Sequence, residues 1–222
     1  MSDKINCKRL LVAFDMDGTL INGRLVFALS DTFGLSDKVR EIQNNSKLYG
    51  YEQSQEIAKL FKGLSERDIL YAVESIRLMK GCEKVVKELK ERGHVLGVIS
   101  DSYSIAANYI AEKLNFDFSE SNILELDSNR RLTGSINMPL GWERIGCYCK
   151  ISVCKRYLLE RTAQKYKIAL ESTVAVGDTK SDLCMIERAN IGIAFMPKHK
   201  ILESMADISI KEPNLAIILQ FV

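Results

Sequence analysis

Residues 11–20 read LVAFDMDGTL, an apolar run of strand-like composition that ends on two acids, Asp15 and Asp17. Side chains at i and i+2 of an extended chain point to one side, roughly 6–7 Å apart. Two carboxylates at about that separation repel by on the order of 2–3 kcal/mol at an effective dielectric near 20. A cation between them removes the conflict. Two more acids occur in VGDTKSD, Asp178 and Asp182, and Ser100 closes the apolar run of VISDS. Oxygen donors without histidine suit Mg²⁺, which is commonly held by one or two carboxylates together with substrate phosphate. Helix and turn capping is the bland reading of a single such aspartate, Asp182 above all. It does not account for four acids on one edge.

The elements that would place these groups follow a rhythm. Short β-rich runs, RLLVAF, VLGVIS at 95–100, TVAVG at 173–177, IGIAF at 191–195 and DISI at 207–210, alternate with helical stretches. This predicts a Rossmann-like α/β fold with a parallel sheet. In open sheets of this kind ligands bind beyond the carboxyl ends of the strands, where Asp15, Asp17, Ser100, Asp178 and Asp182 fall. CEKVVKELKERG reads as a crossover helix stopped at Gly93, and ISVCKRYLLERTAQKY as another. Residues 22–79 hold no strand but several amphipathic patterns, one starting at Ser65 and Asp68 with a capping-box signature. They read as a helical cap inserted into a core formed by residues 1–21 and 80–222, with Gly23 and Gly81 near its joints. Residues 122–139 read as a hairpin turning near DSNRR.

Composition narrows the partners. The 222 residues are 46% hydrophobic, enough for a full core, and 31 basic against 29 acidic residues give a net charge of +2. No long single-sign run marks a nucleic-acid or membrane surface, so the expected partner is a small molecule. The N-terminal apolar run is too short for a signal or a membrane span, which predicts a cytoplasmic protein. Cys147, Cys149 and Cys154 lack CxxC spacing and nearby histidines, and read as core or surface thiols rather than a zinc site. GWERIGC lacks the Lys and Ser/Thr of a Walker loop. Neither His94 nor His199 lies near a nucleophile motif, and Trp142 reads as packing.

FDMDGTL, then Ser100, then Lys150 in CKISVCK, then VGDTKSD resemble, in order and spacing, the four motifs of the haloacid dehalogenase superfamily, most nearly its phosphoserine phosphatase branch. The resemblance implies that fold, with its inserted helical cap, and a Mg²⁺-dependent phosphomonoesterase. Asp15 would be the nucleophile and Asp17 the general acid and base. Asp15, the Asp17 carbonyl and Asp178 would hold Mg²⁺. Ser100, Asp101, Lys150 and Arg24 would meet the substrate, Lys150 also offsetting charge at the nucleophile. Asp182 would orient Lys150 or a water, and Gly18 and Thr19 would support the loop.

The departures bear on substrate. Arg24 stands where the branch carries an acid for the substrate ammonium, and Ala58 where it carries an arginine for the substrate carboxylate. Asp101 and Ser102 replace two glycines, and Ser181 an asparagine. The expected substrate is therefore a small phosphorylated metabolite other than phosphoserine. The alternatives are a true phosphoserine phosphatase, a phosphotransferase, and a binding protein that keeps the fold without turnover.

Overall fold

β1 (Leu11–Phe14) is buried throughout, and its side chains alternate between two cores: Val12 and Phe14 face one, Leu11 and Ala13 the other. The computed structural model describes residues 9–222; Cys7 and the start of the N-terminal stretch lie outside the described residues. β1 is followed by four helices, α1 (Leu25–Thr32), α2 (Ser36–Asn44), α3 (Gly50–Leu60) and α4 (Glu66–Ser75). Then come α5 (Cys82–Glu91), β2 (Val95–Tyr103), α6 (Ser104–Lys113) and the hairpin β3 (Phe118–Leu126) and β4 (Leu132–Asn137). The chain continues through α7 (Trp142–Ile145), α8 (Lys155–Lys165), β5 (Thr173–Gly177), α9 (Leu183–Ile186), β6 (Ile191–Phe195), α10 (Lys200–Met205) and β7 (Ile208–Ile210).

The strands form one sheet in the order β4-β3-β2-β1-β5-β6-β7, parallel except at β4, which pairs antiparallel with β3. The α/β architecture is thus the expected one, with the hairpin turn at Asp127–Arg131 as the sequence implies. What periodicity alone did not reveal is that β3 also joins the main sheet, in parallel with β2. β1 sits at the switch point between β2 and β5, which places the end of β1 at the crevice where such sheets bind ligands.

Helices cover both faces. α8, α9 and α10 supply Leu158, Met185 and Leu202 to the smaller core. α5 and α6 cover the other face, where Leu25, Val39, Ile57 and Ile69 of the four inserted helices join the same apolar cluster as Phe14 and Val98. The insertion is therefore not an independent ball; its apolar stripes need the sheet side of the molecule to be buried. Ser65 caps α4 reciprocally with Asp68, as its sequence predicts. Among the described residues no helix is long and apolar enough to cross a membrane.

His94 is buried at the entrance to β2, and its Nδ1 accepts the Leu10 N–H at 3.2 Å. Burial, with the nearby Arg92 charge, holds its pKa below the ordinary histidine value. A depressed folded-state pKa means that the unfolded chain binds the proton first, so this contribution is intact above pH ~6.5 and is lost as pH falls through the folded value. In chemical denaturation between pH 7 and 5, the stability advantage of the wild type over His94→Gln should shrink as pH falls. A constant gap would contradict this assignment.

Candidate active site

Asp15 directly follows β1, and its N–H donates to the Val176 carbonyl of β5 at 2.9 Å, fixing it between two strands. The chain then turns sharply: the Leu20 and Ile21 amides both donate to the Met16 carbonyl at 3.0 Å. Gly18 occupies the turn with φ +86°, and a Cβ there would overlap the Asp178 carboxylate, so both conformation and space require glycine. Thr19 is fully buried with its hydroxyl unpartnered.

The cation of the site is Lys155, the first residue of α8. Its ammonium lies 2.5 Å from an oxygen of Asp15 and 2.5 Å from an oxygen of Asp182, and all three side chains are buried. Asp182 spends its second oxygen on the Asp178 and Thr179 amides, at 3.1 and 2.9 Å. It is thereby locked to the loop after β5, and it holds the lysine in turn. Burial works to lower the lysine's pKa, but the Asp15 and Asp182 charges overcome it and keep the ammonium well above the ordinary range.

Lys150, the expected phosphate-binding cation, does not enter this cluster. It sits exposed in the connection before α8, in the left-handed region at φ 45°, with its ammonium 4.5 Å from the centre of the Tyr49 ring. The two lysines of CKISVCK are told apart by helical phase. Lys155 shares the buried stripe of α8 with Leu158, Leu159 and Thr162, at i+3, i+4 and i+7, whereas Lys150 precedes the helix.

The acids outnumber this cation. Oxygens of Asp15, Asp178 and Asp182 lie within 4.8 Å of one another, and three carboxylates around one buried ammonium, with the Arg24 guanidinium at the margin, leave the cluster net negative. Burial and the Asp182 charge push Asp15 well above the usual carboxylate range, and the same two causes push Asp178 up to about 7. Both oxygens of buried Asp178 lack a hydrogen-bond partner, and Arg24 approaches only to 3.8 Å. A hard divalent cation fits this donor set, because it takes bare carboxylate oxygens and matches the missing charge.

Asp17 faces the other way. Its carboxylate accepts the N–H of Leu25, the first residue of α1, at 2.5 Å, and burial lifts it to about 6 despite that bond. It opens on a cavity of about 240 Å³ between the inserted helices and the sheet edge, lined also by Arg24, Gln53, Asp101, Ser102 and Ser152. Ser100 is buried beneath it and accepts the Ser102 N–H at 3.1 Å. Ala58 is buried in the core and does not line the cavity. Sequence reasoning missed Asn122, which is buried and donates to the Asp101 carbonyl at 2.7 Å and to Ser152 at 2.9 Å. Ser54 of α3 completes the link by donating to Ser152 at 3.1 Å, so one polar chain joins Asp101, Asn122 and Ser152 to the inserted helices.

The model of the haloacid dehalogenase-like hydrolases matches residues 12–187, and the chain belongs to that family. It is 34% identical to a phosphoserine phosphatase of Methanocaldococcus jannaschii over 97% of this chain and 98% of the relative. Two solved structures superpose over 97% of the chain and 99% of theirs at 32% identity. One is a phospho-aspartyl intermediate analogue of phosphoserine phosphatase, with a TM-score of 0.83, and the other a substrate-bound phosphoserine phosphatase complex, with a TM-score of 0.84.

Removing a buried charge strands its partners. Lys155→Met should lose about 3–5 kcal/mol of stability and, in protein shown to be folded by circular dichroism, at least ~100-fold in phosphatase kcat/KM. Lys150→Ala should stay within about threefold of wild type, as surface substitutions do. The reverse ranking in a steady-state assay would return the role to Lys150.

Proposed function

We propose that this protein is a Mg²⁺-dependent phosphomonoesterase that works through a phosphorylated Asp15. The observation that carries the reading is the buried Asp15–Lys155–Asp182 triad beside the bare carboxylate of Asp178. An Asp15 oxygen bonds to phosphorus as the bond to the alcohol oxygen breaks, and Asp17 gives that oxygen its proton. Water then attacks the same phosphorus, Asp17 takes the proton, and phosphate leaves with Asp15 restored. An acid raised to about 6 is suited to both transfers near neutral pH. Lys155 and Ser100 hold the phosphoryl oxygens, and Asp182 is a positioning residue for Lys155. Asp15, Asp178 and the Asp17 carbonyl would hold Mg²⁺, which supplies positive charge to the phosphoryl oxygens.

Arg24 sets the substrate. It lines the cavity beside Asp17 and Asp101, where an approaching ammonium about 4 Å away would meet repulsion of roughly 4 kcal/mol at an effective dielectric of 20. Its side chain is 38% exposed, so solvent screens part of this. Even about 1.4 kcal/mol still changes affinity tenfold. A phosphate ester with a second anionic group and no ammonium suits this wall. The second reading is phosphoserine itself, favoured by the full-length relatives and by Asp101, a carboxylate in the same cavity able to meet an ammonium.

With Mg²⁺ present, kcat/KM for phosphoglycerate or phosphoglycolate should exceed that for phosphoserine by at least ~10-fold, and Arg24→Glu should narrow the gap. Asp15→Asn should abolish release of phosphate from every ester. A clear preference of the wild type for phosphoserine would establish the second reading and remove Arg24 from the account.

A further inference from the structure

Four cysteines converge outside the carboxylate cluster. Cys147 and Cys149 lie in the connection between β4 and α8, Cys154 ends that connection, and Cys184 belongs to α9. All four are free thiols, and their sulfurs lie within 4.8 Å of one another. Cys147, Cys154 and Cys184 are buried, with Trp142, Ile145 and Tyr157 packed around them. Cysteine is a common core residue, so burial alone would mean only packing.

Two further observations go beyond packing. Backbone amides lie beside the sulfurs: the N–H groups of Cys149, Ile151 and Tyr157 act to lower the pKa of Cys147, Cys149 and Cys154 respectively. An apolar thiol has no need of such donors, whereas a thiolate is stabilised by them. Arg156 also lies close enough to feel Cys147 and Cys154. Secondly, the connection that carries three of the cysteines is irregular in conformation. It contains a single helical turn, α7, and passes through the left-handed region at Leu140, Gly141, Gly146 and Lys150. Long irregular connections of this kind are uncommon in compact domains and are usually functional.

We propose that Cys147, Cys149, Cys154 and Cys184 form a tetrahedral thiolate site for one structural zinc ion. Four sulfurs about 2.3 Å from a central zinc stand roughly 3.8 Å apart, within the spacing seen here. Soft thiolates select zinc over Mg²⁺, so the two metal sites do not compete for one ion. Binding replaces the thiol protons with the metal and releases them to solvent; nothing is oxidised or reduced. The site clamps the connection to α9. Cys154 immediately precedes Lys155, and Cys184 follows Asp182 by two residues, so the clamp joins the two chain segments that carry that ion pair.

Full-length protein purified under reducing conditions should carry one zinc per chain by elemental analysis after washing with EDTA. Reduced, metal-stripped protein titrated with Co²⁺ should develop thiolate-to-cobalt charge-transfer absorption and the visible bands of tetrahedral cobalt, saturating at one equivalent. Cys149→Ser should lower zinc content and the zinc-dependent part of Tm, while Cys82→Ser, outside the cluster, and Asp178→Asn, in the carboxylate site, should keep full zinc. The proposal is overturned if the purified wild type carries no zinc and its reduced form takes up no Co²⁺ with these bands, or if Cys149→Ser keeps full zinc. Zinc loading of Asp178→Asn is read without turnover, so the result stands whether or not the phosphatase reading survives.

Discussion

Between Asp15 and Asp182 the Lys155 ammonium meets two opposed demands. It makes three clustered carboxylates tolerable inside a folded protein, and it leaves the cluster net negative. Full compensation by protein groups would give a stable but inert salt-bridge network. Partial compensation leaves both Asp178 oxygens without a hydrogen bond, with Arg24 no nearer than 3.8 Å, and a donor set of this kind suits a divalent cation. The fold follows from this constraint. The acids need two strand ends side by side, the pairing of β1 with β5 provides them, β2 places Ser100 next to β1, and the start of α8 supplies the lysine.

The inserted helices are bound to the same site by two different kinds of contact. Their apolar stripes run into the core shared with the sheet, and their polar contacts reach the site directly, Leu25 to Asp17 and Ser54 to Ser152. The amide of α1 thus touches the proposed general acid directly.

Much of this was legible in the sequence because strand ends can be read from β-rich runs. The end of β1 at Asp15, of β5 before Asp178, the α4 cap and the hairpin turn all follow from local patterning. Lys155 was not identified, because order along the chain does not separate it from Lys150; the helical phase of α8 does, placing Lys155 on the stripe of Leu158 and Leu159. Asn122 carries no motif, and only the strand pairing of β3 with β2 brings it under Asp101. The cysteine cluster was obscured for a related reason: its fourth member lies on another helix, so no spacing rule within 147–154 describes it.

The central claim is that Asp15, paired with Lys155, accepts the phosphoryl group. It is tested most directly by quenching a single turnover with Mg²⁺ and a good phosphate ester into borohydride, followed by peptide mass spectrometry. An acyl phosphate is reduced to the alcohol, so the account predicts conversion of Asp15 to homoserine, dependent on substrate and absent without it. Phosphate release with Asp15 unreduced, or reduction confined to another carboxylate, would contradict it.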